Sequence, residues 1–166
     1  MILKIRIGHF RITFTLAQVT DVIGVNSKLP NGNHILMWDF DNTPLADVKL
    51  ALYITQLKFN LPDIYILKTS EPDNYIAYCF DATPWELARA IIGSTIGIDE
   101  NFYKWAVFRK RFTLRVGKKA GVRPKLVDIL CSRVKETATI EELRSWVKYE
   151  TLDAHHNQTV HRLEFP

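Results

Sequence analysis

The chain has 166 residues, 47% of them hydrophobic and 24% charged, with a formal net charge of +4. That is enough chain for a single domain with a real core, and no apolar run reaches the length that crosses a membrane as a helix. Cys79 and Cys131 are too few for a disulfide framework or a zinc site, and the first residues lack a signal-peptide pattern, so a cytoplasmic protein with free thiols is expected.

In chain order, residues 3–16 (LKIRIGHFRITFTL) alternate apolar and polar and read as strand, broken at Gly8. Residues 25–34 (VNSKLPNGNH) form a turn-rich loop. Residues 34–44 (HILMWDFDNTP) read as a strand that carries Asp39 and Asp41 two positions apart. Alternation puts both aspartates on one face and Leu36, Trp38 and Phe40 on the other, against a core. Adjacent carboxylates repel, and burying them unpaired is costly; a divalent cation between them removes both problems. The same residues also suit a strand end where Asp41-Asn42-Thr43 opens a turn and caps a helix.

Residues 45–59 have apolar positions at 45, 48, 52 and 57 with a polar remainder, an amphipathic helix opened by Thr43 or Pro44. DIYILKTS (63–70) and YIAYCFD (75–81) are strands joined by a hairpin-like SEPDN. TPWELARAIIG (83–93) is a helix with Thr83 as N-cap, Pro84 at N1, Glu86 at N3 and Gly93 beyond its end. AVFRKRFTLRV (106–116) reads as strand, PKLVDILCSR (124–133) as strand or short helix, and TIEELRSWVKYE (139–150) as a helix capped by Thr139. AHHNQTVHRLEF (154–165) is a polar tail ending in a strand. There is no repeat or linker. The order implies an α+β fold, one domain over 1–166, with a mixed or antiparallel sheet covered by helices.

Charge is uneven. Residues 104–125 hold nine Lys or Arg and no Asp or Glu, which leaves 13 basic and 18 acidic residues elsewhere. Such a segment suits phosphate, of a nucleotide or of nucleic acid. If RFTLRV is a strand, Arg111, Thr113 and Arg115 share one face, and the two arginines repel unless an anion lies between them. Lys68, Thr69 and Ser70 lead into a tight turn that Asn74 and Tyr75 leave. Hydroxyls, an amide and backbone N–H groups there can bind phosphate oxygens, although turns favour these residues for conformational reasons alone.

Taken together, WDFDN, KTSEPDNY, GID and the following FRKRFTLRVGKK resemble the archaeo-eukaryotic primase superfamily, the primase-polymerases, in its compact plasmid or virus form. That family carries Asp-x-Asp on an apolar strand, then a Ser-x-His-like hairpin motif, then an apolar residue followed by Asp, then a basic segment. The order matches over residues 34–125, with gaps of about 30 and about 25 residues. The resemblance implies an RRM-like sheet flanked by helices and two-metal nucleotidyl transfer onto a nucleic-acid 3′-hydroxyl, in DNA replication or repair. It implies Asp39, Asp41 and Asp99 as catalytic ligands of Mg2+ or Mn2+. It further implies Ser70, Asn74, Arg111, Arg115 and Lys118 as the groups that hold the triphosphate or template backbone. The partners it implies are single-stranded nucleic acid, nucleoside triphosphates, and a replication helicase or other replication protein, with no membrane.

Asn74 departs from the pattern. It stands where the family usually has histidine, and an amide donates a hydrogen bond but carries no charge. A catalytically weak or inactive nucleic-acid-binding module is therefore the alternative reading. A second alternative is a haloacid-dehalogenase-type phosphatase, whose Asp-x-Asp-x-Thr matches DFDNT, but no later paired acidic motif follows. The histidines lie in no zinc-ligand pattern, and there is no Gly-x-Ser-x-Gly.

Overall fold

A computed structural model describes residues 2–15, 19–70, 72–119, 121–143, 146–152 and 160–162. The elements run β1 (Ile2–Ile7), β2 (Phe10–Thr15), β3 (Val19–Asn26), β4 (His34–Phe40), α1 (Leu45–Phe59), β5 (Ile64–Ser70), β6 (Asn74–Thr83), α2 (Trp85–Gly93), α3 (Glu100–Arg109), β7 (Thr113–Arg115), β8 (Lys125–Leu130), β9 (Trp146–Leu152) and β10 (Val160–Arg162). They form three sheets, ordered β10-β1-β2, β7-β3-β9 and β4-β6-β5-β8. The fold is α+β, and every pairing is antiparallel except β1 with β10.

The break expected at Gly8 is a hairpin turn, with Gly8 at φ +59 between β1 and β2. Ile7 lies opposite Phe10 and Ile5 opposite Ile12, and Ile7, Phe10, Ile12 and Phe14 are exposed.

β4 is the centre of the core. Ile35, Leu36, Met37, Trp38 and Phe40 are all fully buried, so both faces of the strand are covered rather than one. Trp38 donates its indole N–H to Thr95 Oγ1 at 2.9 Å, and that hydroxyl lies 3.2 Å from Thr55 Oγ1. One strand, helix α1 and the turn that follows α2 thus meet at a buried polar point. α1 buries Val48, Ala51, Leu52, Thr55 and Gln56. Its outer side is less polar than its spacing implied, since Leu50, Tyr53, Ile54 and Leu57 are exposed. The second helix begins one residue later than its capping signals suggested. Pro44 and Pro84 are the N-cap residues of α1 and α2, and Thr83 Oγ1 bonds within its own turn to Asp81.

Two assignments are overturned. Residues 106–116 are not one strand: Ala106–Arg109 is the last turn of α3, and only Thr113–Arg115 pairs with β3. Ala106 is buried in the core and Asp99 caps the helix N-terminus, which outweighs the β-propensity of Val107 and Phe108. Residues 139–150 are not one helix either. The capping box of Thr139 and Glu142 forms, but it starts a single 3-10 turn over Ile140–Glu142. The chain then becomes β9, which pairs with β3 along its length, from Val19 opposite Leu152 to Val25 opposite Trp146. Residues 124–133 contain a strand, β8. Cys79 is buried and Cys131 exposed, and both are free thiols. Among the described residues, no helix is long and apolar enough to cross a membrane.

The Trp38–Thr95 contact gives a direct test. Thr95→Val leaves the buried indole N–H without its acceptor, a loss of about 1–3 kcal/mol. We expect the urea midpoint to fall, and Trp38→Phe to cost less in the Thr95→Val background than in the wild type, because the partner is already gone.

Candidate functional site

The three aspartates singled out in the sequence converge at the C-terminal end of β4. Asp39 is the penultimate strand residue and half-buried, while Asp41 lies just past the strand in an exposed bend. Asp41 is thus one residue beyond the strand, and its charge acts on Asp39. Asn42 takes up the turn with φ +51. Asp99 is brought in from far along the chain by a backbone hydrogen bond, its N–H donating to the Asp39 carbonyl at 2.8 Å. The Asp99 side chain caps α3, accepting from the Phe102 N–H at 2.5 Å.

The bend at Asp41 is pinned to the β5–β6 hairpin. Asn74 Oδ1 accepts from the Asn42 N–H at 3.0 Å, Asn74 Nδ2 donates to Ser70 Oγ at 3.1 Å, and the Thr43 N–H donates to the Asp73 carbonyl at 2.9 Å. Ser70 and Asn74 thus hold the turn that carries Asp41.

The basic residues separate. Arg115, on β7, donates from Nη2 to the Thr69 carbonyl at 2.6 Å, and its charge acts on both Asp39 and Asp41. Arg111 is not on that strand. It follows α3 and lines a cleft of about 210 Å³ whose walls include Asp39, Asp99, Asn101, Trp105, Arg109 and Thr113. Lys118 is exposed. Its neighbour Lys119, which sequence reasoning passed over, is the lysine whose charge reaches Asp39 and Asp41. Lys119 is fixed by a backbone bridge to Val122, with hydrogen bonds of 3.0 Å in each direction. No periodic pattern separates Lys118 from Lys119, so only the tertiary placement distinguishes them.

The electrostatics follow from this crowding. Burial raises the Asp39 carboxyl to about 7, helped by the charges of Asp41 and then Asp99, with Arg115 and Lys119 opposing. Asp41 is raised by burial and by Asp99, with Lys119 and Arg115 again opposing. Two cations therefore do not neutralise the cluster, and a bound divalent ion would. The donors are hard carboxylate oxygens, the type that suits Mg2+ or Mn2+. No three His, Cys, Asp or Glu side chains among the described residues stand in a metal-ligating arrangement. The site is not a closed cage. Mg2+ does not require one, since it keeps several waters and takes one or two carboxylates together with substrate phosphates. The residues fit such an ion on chemistry.

No protein-family model, curated protein or solved structure matches this chain.

The raised Asp39 carboxyl predicts a pH dependence. Its ordinary value is 3.8, so between about 4 and 7 the folded protein holds a proton that the unfolded chain has released. Stability is therefore lost as pH rises through that window, and no more is lost above it. In chelator, the Tm difference between Asp39→Asn and wild type should grow by several degrees from pH 5 to pH 8. Taking the difference cancels His34, whose lowered pKa acts in the opposite sense. A difference independent of pH would show that Asp39 is not crowded.

Proposed function

We propose that this protein is a metal-dependent nucleotidyltransferase of primase-polymerase type, acting on nucleoside triphosphates and single-stranded nucleic acid. The observation that carries the reading is the meeting of Asp39, Asp41 and Asp99 at one strand end, beside Arg111, Arg115 and Lys119. Carboxylates next to guanidinium and ammonium groups are what a metal-bound polyphosphate needs. The RRM-like reading is supported by the chain order β4-α1-β5-β6-α2 and by the sheet order in which β6 lies between β4 and β5.

In this reading Asp39 and Asp41 hold Mg2+ or Mn2+, with Asp99 beside them. The bound ion supplies Lewis acidity toward the attacking 3′-hydroxyl and the leaving pyrophosphate. Arg111 and Lys119 orient the phosphates, with Lys118 free to meet a template backbone. Arg115 tempers the carboxylate charge while it ties β7 to the β5–β6 hairpin through Thr69. Asn74 and Ser70 act as positioning residues that keep the Asp41 turn in place. The histidine found in the family at position 74 would contribute charge near the triphosphate, and the amide here does not.

That same role of Asn74 favours the second reading, a nucleic-acid-binding module without synthesis. The phosphatase reading is less well supported, since DFDNT ends the fourth strand, whereas that motif normally ends the first.

Two experiments separate these. With Mn2+, the wild type should incorporate labelled nucleotide on a single-stranded template, and the ion should raise its Tm by linkage. Asp39→Ala combined with Asp41→Ala should abolish both effects. A metal response that survives the double substitution would remove the metal assignment, and salt-sensitive DNA binding without incorporation by the wild type would select the binding module.

For nucleic acid, Arg111→Ala with Lys118→Ala and Lys119→Ala should flatten the log–log salt dependence of single-stranded DNA binding by about 2, roughly 0.7 per lost phosphate contact. Arg115 is left in place because its guanidinium is part of the fold. An unchanged slope would move the nucleic-acid surface elsewhere.

A further inference from the structure

The cleft beside Asp39 has a lip that the carboxylate and phosphate chemistry does not use. Asn101, Trp105 and Arg109 are four residues apart on α3, so they form one stripe along the helix. All three line the cleft that also holds Asp39, Asp99 and Arg111. Trp105 is 56% exposed although it is the largest type of side chain, and Phe108 beside it is 79% exposed. Their rings meet edge to face, with centroids 6.0 Å apart. The Arg109 guanidinium lies over the Trp105 ring, 5.3 Å from its centroid. A tryptophan left largely in water has given up the burial that its area would gain.

We propose that Trp105, braced on one face by Arg109, is a stacking platform for a nucleobase whose phosphates lie toward Arg111 and the aspartates. This rests on the reading of the cleft as a nucleotide site and adds the part of the ligand that the acidic and basic residues cannot recognise. Three features choose a nucleobase over a peptide side chain. The indole is flat and polarised by a stacked guanidinium, which suits a π-face. The cleft next to it carries arginines, complementary to the phosphates that accompany a base. The ring borders the cleft that holds Asp39 and Asp99 at the carboxylate end of β4. Every base has a π-face, so the platform tolerates any sequence. The base belongs either to a free nucleotide or to a nucleotide within a single strand, and the stacking chemistry is the same for both.

The test uses the full chain with Mg2+ and measures Kd by calorimetry for ATP, for inorganic tripolyphosphate and for a ten-residue oligodeoxyadenylate. Wild type should bind ATP more tightly than tripolyphosphate. Trp105→Leu should remove that advantage and leave tripolyphosphate unchanged, while Trp105→Phe should keep much of it. The expected loss is roughly five- to hundredfold in Kd, the range measured for base–aromatic stacking. A matching loss for the oligonucleotide alone would place the base within a strand, a loss for ATP alone would place it on the free nucleotide, and either supports the platform. If Trp105→Leu weakens neither ATP nor the oligonucleotide, the platform is wrong while the nucleotide site stands. If wild type binds neither ATP nor tripolyphosphate nor the oligonucleotide, the platform falls together with the function proposed above.

Discussion

The hydrogen bond from the Asp99 N–H to the Asp39 carbonyl joins two segments that lie 60 residues apart in sequence, and the candidate site is assembled around it. On one side is the end of β4, whose apolar residues are buried on both faces. On the other is the first turn of α3. Once this bond is made, the Asp39 and Asp99 carboxylates must share a region that water only partly reaches. α3 then leaves from that point and carries Trp105 and Arg109 along the cleft.

The supports around that bond are aromatic and backbone contacts, which tolerate the charge without neutralising it. Ser27 links three segments: its carbonyl accepts from the Ile35 N–H, its hydroxyl accepts from the Phe112 N–H at 3.1 Å, and the same hydroxyl lies 2.8 Å from His34 Nδ1. Phe112 is fully buried and packs between Trp85 and Phe102, with ring centroids 5.3 Å and 5.5 Å away. Because Phe112 is held this way, Arg111 and Thr113 on either side of it are set against the cleft. An aromatic cluster packed near an acidic strand end limits the water that reaches it, and burial there raises the Asp39 and Asp41 carboxyls. Stability of the free protein and affinity for a cation are therefore coupled at this point, since relief of the same repulsion serves both.

Asn74 illustrates how one residue can be read in two ways. In the primase-polymerase reading proposed above, it stands where a charged histidine would contact phosphate. In the structure its carbonyl and amide tie the Asp41 turn to Ser70. A short amide bridging a backbone N–H and a hydroxyl is a geometric device. It holds the turn that carries the second carboxylate.

The sequence by itself determined the local features. Alternation marked β4, apolar runs on either side of a turn marked β5 and β6, the helical spacing with its prolines marked α1 and α2, and the Asp-x-Asp pair with the later Asp marked the acidic residues. These are legible because neighbours along the chain set them. Tertiary structure decided the rest. The 3-10 turn gave way to β9 because β3 offers a full-length partner, and such pairing depends on residues more than 100 positions away. Residues 106–109 became helix because the Asp99 cap and the buried Ala106 outweighed local strand propensity. In the sequence an aspartate after Gly-Ile suits a helix N-cap as well as a ligand, and only the packing shows that Asp99 caps α3. Which lysine faces the carboxylates, and that Trp105 stands at their cleft, follow from where separate segments are packed. Nothing in a local period encodes that.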